Sequence, residues 1–354
     1  MCIRDSTLRL RIAMQLVKVY PDSQKEAEDA VRDGVLTNSD SDVVLKSGLM
    51  LFRIEDLWND TRANANIISI LQGYSDPRLE RWFATNNADI YSTDDELSPV
   101  VEKATKYLGV RQGVPMTRTE YQGYSKTSRV GIPEQGPRPV LRVAEAYFLR
   151  AEGMLRNWNM GDGTPESLYN EGIHSAWASV LGDESGWAGT YESYINGFIN
   201  TEEGGDFDWE LFEGGFGSAP YINYRNQEYN YYIEENGKQV GINRISVRWH
   251  DEDSPEKKLQ RIITQKWISF FPTLSSVAWT EYRRTGYPKL IPIPSDLNYS
   301  NGAIDTELQI RRLPFTQSEY RGNTEEVNKA LGLLKGPDNG GTRLWWDVDK
   351  GNFE

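Results

Sequence analysis

The sequence predicts a mainly α protein in which pairs of antiparallel helices alternate with long irregular loops and little β-structure. Apolar residues recur at the three- and four-residue spacing of amphipathic helices in six stretches that form three pairs, and in one further stripe, Val327, Leu331 and Leu334. The connecting segments lack the strict alternation that is typical of half-buried strands. Helical pairs of this size are the unit of tetratricopeptide-type solenoids, although the tetratricopeptide consensus itself is not legible. We therefore expect tetratricopeptide-like hairpins that form a curved scaffold.

The first predicted hairpin spans residues 7–34. The stripe of its first helix consists of Leu8, Ile12, Leu16 and Val19. Pro21 ends this helix, and Gly34 ends the second, whose stripe consists of Ala27, Ala30 and Val31. Because the first stripe begins almost at the start of the chain, we expect an N-terminally incomplete domain whose first hairpin packs against preceding residues.

The second hairpin, residues 140–182, has the clearest pattern. Its first helix follows Pro139 and carries a stripe of Val140, Ala144, Tyr147, Phe148, Ala151 and Leu155. Thr164 is positioned to cap the second helix and Pro165 occupies its first turn. The stripe of that helix consists of Tyr169, Ile173, Trp177 and Val180.

The third hairpin spans residues 255–285 and is interrupted at Pro272. Its first stripe consists of Leu259, Ile262, Ile263, Trp267 and Phe270, and its second of Val277, Ala278, Trp279 and Tyr282. A loop-rich insert, residues 183–253, precedes it, and an irregular C-terminal region, residues 286–354, follows. We interpret residues 1–354 as a single domain.

Composition excludes several classes of function. The 354 residues carry 39 Lys and Arg against 52 Asp and Glu, and a net charge of -13 repels nucleic acid. One Cys and two His are too few for a disulfide or for a structural zinc site of about four ligands. We therefore interpret His174 and His250 as surface or hydrogen-bonded residues.

Three stretches carry distinctive motifs. The first is the helical run Arg142-x-x-Glu145-x-Tyr147-x-x-Arg150-Ala151-Glu152. The second joins Gln265-Lys266-Trp267-Ile268 to the run Ala278-Trp279-x-Glu281-Tyr282-Arg283-Arg284-Thr285-Gly286. The third joins Arg312-Leu313-Pro314-Phe315 to Leu344-Trp345-Trp346-Asp347. In this order the motifs resemble the SusD/RagB family of nutrient-uptake outer-membrane lipoproteins of Bacteroidetes.

The resemblance implies a cell-surface lipoprotein that captures oligosaccharide and delivers it to a SusC-like TonB-dependent transporter, without catalysis. It also implies an outer-membrane location facing the exterior, with a lipid anchor on a segment that precedes this chain. Cys2 does not fit the lipidated position, because no hydrophobic segment precedes it.

The same motif residues have a structural interpretation. Helical spacing predicts that Arg142 pairs with Glu145 and that Glu152 pairs with Arg156. Arg283 and Arg284, at the end of a helix, suit the negative pole of the helix dipole, and their guanidinium groups can satisfy loop carbonyls.

Sugar binding requires flat aromatic rings for the apolar faces of pyranoses and polar side chains for their hydroxyls. The chain has 11 Trp, 19 Tyr and 11 Phe, and many of them lie in the 183–253 loop. Each ring could instead serve a small core within the loop. Our candidate ligand-binding residues are Trp209, Tyr224, Trp187, Tyr221 and Tyr231, followed by Tyr121 and Tyr124.

No catalytic residue, metal ligand or cofactor is predicted. A calcium ion remains open, because Asp206, Asp208 and Glu210 could supply oxygen ligands. Two alternatives also remain open on composition: a helical glycoside hydrolase that acts on polysaccharide, and a helical-repeat scaffold that binds only proteins.

Overall fold

Helices dominate the computed structural model, and the predicted mainly α fold is confirmed. The structure describes residues 2–45, 61–74, 76–85, 107, 109–110, 112–113, 125, 138–181, 194–195, 232–235, 238–241, 243, 245–293 and 297–354. Of residues 72–73, 232–235 and 238–241 it describes only the backbone.

Helical pairs occur where the periodicity predicts them. The first consists of α1 (Ile3–Gln15) and α2 (Ser23–Arg32). Two short helices follow, α3 (Ala65–Gly73) and α4 (Arg78–Trp82). The second pair consists of α5 (Val143–Leu155) and α6 (Pro165–Leu181), and the third of α7 (Pro255–Ser269) and α8 (Ser275–Thr285). Near the C-terminus lie α9 (Gln317–Gly322) and α10 (Thr324–Leu331).

Two short antiparallel ladders complete the secondary structure that is described. β1 (Val43–Leu45) pairs with β2 (Arg138–Leu141), and β3 (Tyr232–Glu235) pairs with β4 (Lys238–Gly241). The second ladder corrects our interpretation of the 183–253 stretch as free of strand signals. The sequence signal was Asn236-Gly237, a dipeptide that favours two-residue hairpin turns.

The α5–α6 pair forms the centre of the main core. α5 packs against α6, α7 and α1, and α6 also contacts α7. Phe148 of α5 and Tyr169 of α6 are fully buried, with ring centroids 6.2 Å apart. A Cβ atom at Gly172 would lie 2.7 Å from the Phe148 ring, so only glycine allows α6 to approach α5 this closely.

A buried network of charged side chains fixes α8 against α5 and α7. Arg284 donates to Glu152 at 2.6 and 2.8 Å and to Glu281 at 2.6 Å. Lys266 of α7 lies 3.2 Å from Glu281, and Arg156 donates to Glu152 at 2.8 Å, as predicted. Burial alone would raise the pKa of Glu152, but the charges of Arg284 and Arg156 lower it well below its usual range.

Two predicted roles of motif residues are wrong. Glu145 accepts from Arg11 of α1 at 2.6 Å instead of pairing with Arg142. Arg142 lies 3.6 Å from Asp42. Arg284 meets buried carboxylates instead of loop carbonyls, whereas Arg283 donates to the Arg311 carbonyl in the loop region, as predicted. Arg11, Asp42 and Glu152 are distant in the chain, so helical spacing does not indicate them as partners, whereas Glu281 lies three residues before Arg284 on α8.

The C-terminal region is tied to both ends of the helical array. Arg283 of α8 donates to the Arg311 carbonyl at 2.6 Å, and the Arg311 guanidinium pairs with buried Asp347. Lys18, just after α1, donates to the carbonyls of Arg284 and Lys350 at 2.7 and 2.8 Å. The Arg283 and Arg311 contacts hold the segment around residue 310 beside α8, and Lys18 joins the end of α8 to residue 350.

The outer face of α1 is open to solvent. Leu8 is 43% exposed and Ile12 is 50% exposed, whereas Leu10 on the opposite face is fully buried. That residues preceding this chain cover the open face stays a prediction. Among the described helices, none is long and apolar enough to cross a membrane.

Candidate ligand-binding cleft

An aromatic cleft of about 430 Å³ opens between the start of α3, the end of α7 and α8. Its volume lies within the usual range of small-molecule sites, roughly 300 to 1,000 Å³. The rings that line it are Phe83, Trp267, Phe270, Phe271, Trp279 and Tyr282. We call this feature the aromatic cleft.

The break between α7 and α8 creates one wall of the aromatic cleft. α7 ends at Ser269, and Phe271 then packs against the side of α4. Its ring centroid lies 5.0 Å from that of Trp82 and 5.1 Å from that of Phe83. Because aromatic pairs at this distance attract and exclude water, this wall is fixed before any ligand arrives.

A second wall of the aromatic cleft consists of rings on α8 that contact the C-terminal region. The Arg283 guanidinium lies 3.7 Å from the centroid of the Trp279 ring, and Trp279 Nε1 donates to the Ile310 carbonyl at 2.9 Å. The Tyr282 hydroxyl donates to the Glu307 carbonyl at 2.6 Å, and burial raises the pKa of Tyr282 to about 12. Tyr282 is therefore neutral at ordinary pH, with its proton already engaged.

The polar lining of the aromatic cleft is nearly neutral. It consists of Thr61, Arg62, Asn64, Ser275 and Gln309. Among the described residues that line the cleft there is no Asp or Glu, although the chain has 52 of them. Such a lining suits a neutral ligand with an apolar face and a few hydrogen-bonding groups.

All seven candidate rings from the sequence lie outside the described residues: Trp209, Tyr224, Trp187, Tyr221, Tyr231, Tyr121 and Tyr124. The same holds for Asp206, Asp208 and Glu210. Their roles stay predictions.

Sequence reasoning missed the aromatic cleft, because it assigned Trp267, Trp279 and Tyr282 to helical core stripes. Trp267 and Trp279 are half-buried. Trp267 lies near the end of α7, and Trp279 in the middle of α8 meets Arg283 and the Ile310 carbonyl. A usable signal was the density of aromatic residues on both sides of Pro272, which places five rings between residues 267 and 282.

A second, polar cleft of about 380 Å³ lies at the start of α6 and residues 248–252. His250 Nδ1 lies 3.4 Å from a Glu252 carboxylate oxygen there. Within the part of the chain that the structure describes, no group of three or more His, Cys, Asp or Glu could hold a metal ion. This polar cleft therefore supports no metal assignment.

Comparison with known proteins gives a consistent match. Residues 5–193 and 216–347 match the SusD-like family, described as SusD and RagB outer membrane lipoprotein. A chitin-binding SusD homologue from Flavobacterium johnsoniae is 37% identical, with a TM-score of 0.74 over 98% of this chain and 63% of that one. A SusD homologue from Bacteroides vulgatus is 31% identical, with a TM-score of 0.75 over 98% of this chain and 62% of that one.

A SusD homologue from Bacteroides ovatus is also 31% identical, with a TM-score of 0.73 over 98% of this chain and 66% of that one. This chain therefore spans slightly less than two thirds of the length of these solved structures. A search of curated proteins gave no match.

Proposed function

Because this chain belongs to the SusD-like family of outer-membrane lipoproteins, we propose that it is a cell-surface glycan-binding protein that captures oligosaccharide for uptake. The family match, which extends over most of the chain, is the observation that carries this proposal. The chitin-binding relative at 37% identity supports a glycan ligand and makes chito-oligosaccharides the first to try.

The protein binds its ligand without chemical turnover in this proposal. A glycoside hydrolase requires a pair of carboxyl groups at the scissile bond, one as acid and one as nucleophile or base. The described lining of the aromatic cleft has no carboxylate, which supports binding over hydrolysis at that place. The hydrolase alternative predicts instead that reducing ends accumulate.

Delivery to a SusC-like TonB-dependent transporter is the second part of the proposal. It is supported by the description of the family as outer membrane lipoproteins. In the full-length protein a lipid on a preceding cysteine would hold the molecule at the outer membrane, facing the exterior.

Calorimetry with a panel of chito-, cello-, malto- and xylo-oligosaccharides tests the binding proposal, with a reducing-end assay on the same mixtures. We expect heat of binding for at least one glycan and no release of reducing ends. Steady hydrolysis that stops when one carboxylate is replaced would favour the hydrolase. A panel without any binding would contradict the glycan assignment.

The partner is tested in cells. A tagged full-length protein, extracted from outer membranes of its host in mild detergent, should co-purify with a TonB-dependent transporter. The same tag on an unrelated outer-membrane lipoprotein of that host is the control. Recovery of the transporter with both proteins, or with neither, would contradict specific delivery.

A further inference from the structure

We infer that the aromatic cleft is a binding site for an acetamido sugar, a pyranose that carries an N-acetylamino group in place of one hydroxyl. This inference rests on the proposed glycan-binding function and adds the location and the chemical class of the ligand. Four properties of the cleft support it: its apolar walls, the absence of acidic side chains from its described lining, its hydrogen-bonding groups and its fixed rings.

The walls favour a ligand with fewer exposed hydroxyls than an ordinary hexose. Phe83 and Phe270 are 2% and 1% exposed, so the inner part of the cleft consists of buried aromatic surface. A hydroxyl group that enters such a place without a partner loses its hydrogen bonds to water. An acetamido group brings a methyl group and a flat amide, both of which pack against aromatic rings.

Charge also selects against other carbohydrate classes. The described lining has one cationic side chain, Arg62, and no carboxylate. A free amino sugar is cationic and would gain no ion pair there. N-acetylation removes that charge, which makes the acetamido form the amino-sugar derivative that fits the lining.

The rim supplies an amide donor in a defined orientation. The Asn66 backbone N–H donates to Asn64 Oδ1 at 2.8 Å, which identifies the oxygen of the Asn64 amide. Asn64 can therefore donate hydrogen bonds from Nδ2 to a ligand carbonyl. Gln309, which also lines the cleft, has a second side-chain amide that can donate or accept.

The ring most suited to stacking is held rigidly. Arg283 covers one face of Trp279, so a sugar in the cleft stacks on the other face. The hydrogen bond from Trp279 to the Ile310 carbonyl keeps the ring from rotating. Preorganisation of this kind reduces the entropic cost of binding.

The experiment compares chitotetraose with cellotetraose, which share one backbone and linkage but differ in the acetamido groups. We expect the 354-residue protein to bind chitotetraose at least about tenfold more tightly by calorimetry, with a change in tryptophan fluorescence. Equal affinity for the two sugars, or binding of cellotetraose alone, would overturn the inference and leave the glycan-binding function intact.

A matched pair of variants locates the site. Ser275 is exposed and lines the cleft, whereas its exposed neighbour Ser276 does not. Ser275→Phe should fill the cleft and weaken chitotetraose binding at least about tenfold, and Ser276→Phe should leave affinity unchanged. Normal binding by folded Ser275→Phe, above all with a raised melting temperature, would show that the cleft is a packing gap.

Asn64→Asp provides a test that does not depend on steric filling. The carboxylate retains the acceptor for the Asn66 amide but removes the donor, so the fold should persist while chitotetraose affinity falls about tenfold. Unchanged affinity would show that Asn64 does not contact the acetamido carbonyl. Absence of binding to every glycan by the unmodified protein would instead contradict the proposed function itself.

Discussion

At the scale of single residues, Glu152 is a buried carboxylate whose charge depends on its arginine partners. It is fully buried and accepts hydrogen bonds from both Arg284 and Arg156. Removing its charge with Glu152→Gln leaves the buried Arg284 with one remaining counter-ion among the described residues, Glu281. Because breaking a buried pair leaves an uncompensated charge, we expect unfolding free energy to fall by about 3 to 5 kcal/mol in urea titrations.

The control for this prediction is Glu325→Gln on α10. Glu325 pairs with Lys329 at 2.9 Å, but both side chains are largely exposed. Exposed pairs contribute little to stability, because water and salt screen their charges, so this variant should unfold almost as the unmodified protein does. Equal losses for the two variants would mean that the buried network does not stabilise the fold.

Lys18 predicts a specific dependence of stability on pH. Burial, aided by the charges of Arg284 and Arg156, lowers the pKa of Lys18 from 10.5 to about 8. Between these values the unfolded chain binds the proton more tightly than the folded chain, so this group makes stability rise with pH. We expect Lys18→Met to lose that rise between pH 8 and 10 in chemical denaturation, whatever its stability at pH 7.

If the stability of Lys18→Met rose with pH between 8 and 10 as steeply as that of the unmodified protein, the prediction would be wrong. Lys25→Met is the matched control. Lys25 is 70% exposed and pairs with Asp29 at 2.9 Å, and that pair raises its pKa instead of lowering it. Lys25→Met should therefore leave the dependence of stability on pH between 8 and 10 nearly unchanged.

At the scale of elements, the contact between α5 and α6 depends on Gly172. An added methyl group would lie 2.7 Å from the Phe148 ring, which is itself fully buried and cannot retreat. Gly172→Ala should therefore cost about 1 to 3 kcal/mol of unfolding free energy, measured by thermal or urea denaturation.

Gly322→Ala serves as the control, because a Cβ atom there has nothing within 4 Å. It closes α9, where alanine is a better helix former than glycine by up to about 1 kcal/mol. A stable Gly172→Ala protein would show that α6 can shift away from α5 at little cost.

The helices were more predictable from the sequence than the strands or the aromatic cleft. Helix pairs such as α5 and α6 were predictable because stripes of buried residues recur along each helix, as Phe148 and Tyr169 illustrate. The β1–β2 ladder was not, since strands of three and four residues take their stability from partners nearly a hundred residues apart. The aromatic cleft was missed for a related reason: the contacts of Trp279 include the Ile310 carbonyl, which lies 31 residues along the chain and outside the helical pattern.

At the scale of the whole molecule, ligand capture involves surfaces of different kinds. The aromatic cleft is a recess between helices, whereas the rings of the 183–253 stretch were predicted from loop composition. A glycan longer than the cleft must extend beyond it and can meet further aromatic side chains. Loop rings and cleft residues should therefore have separable effects on affinity.

The loop rings provide the last prediction. Trp209→Ala and Tyr224→Ala should each weaken binding of the glycan found by calorimetry by roughly 1 to 3 kcal/mol, by analogy with base stacking on aromatic rings. That range corresponds to about fivefold to more than hundredfold in Kd. Melting temperatures should stay unchanged, because neither ring lies on a helical stripe of the sequence. Normal affinity with a sharp drop in melting temperature would place both rings in a small loop core. Ligand contact would then have to come from the aromatic cleft, where Ser275→Phe remains the decisive variant.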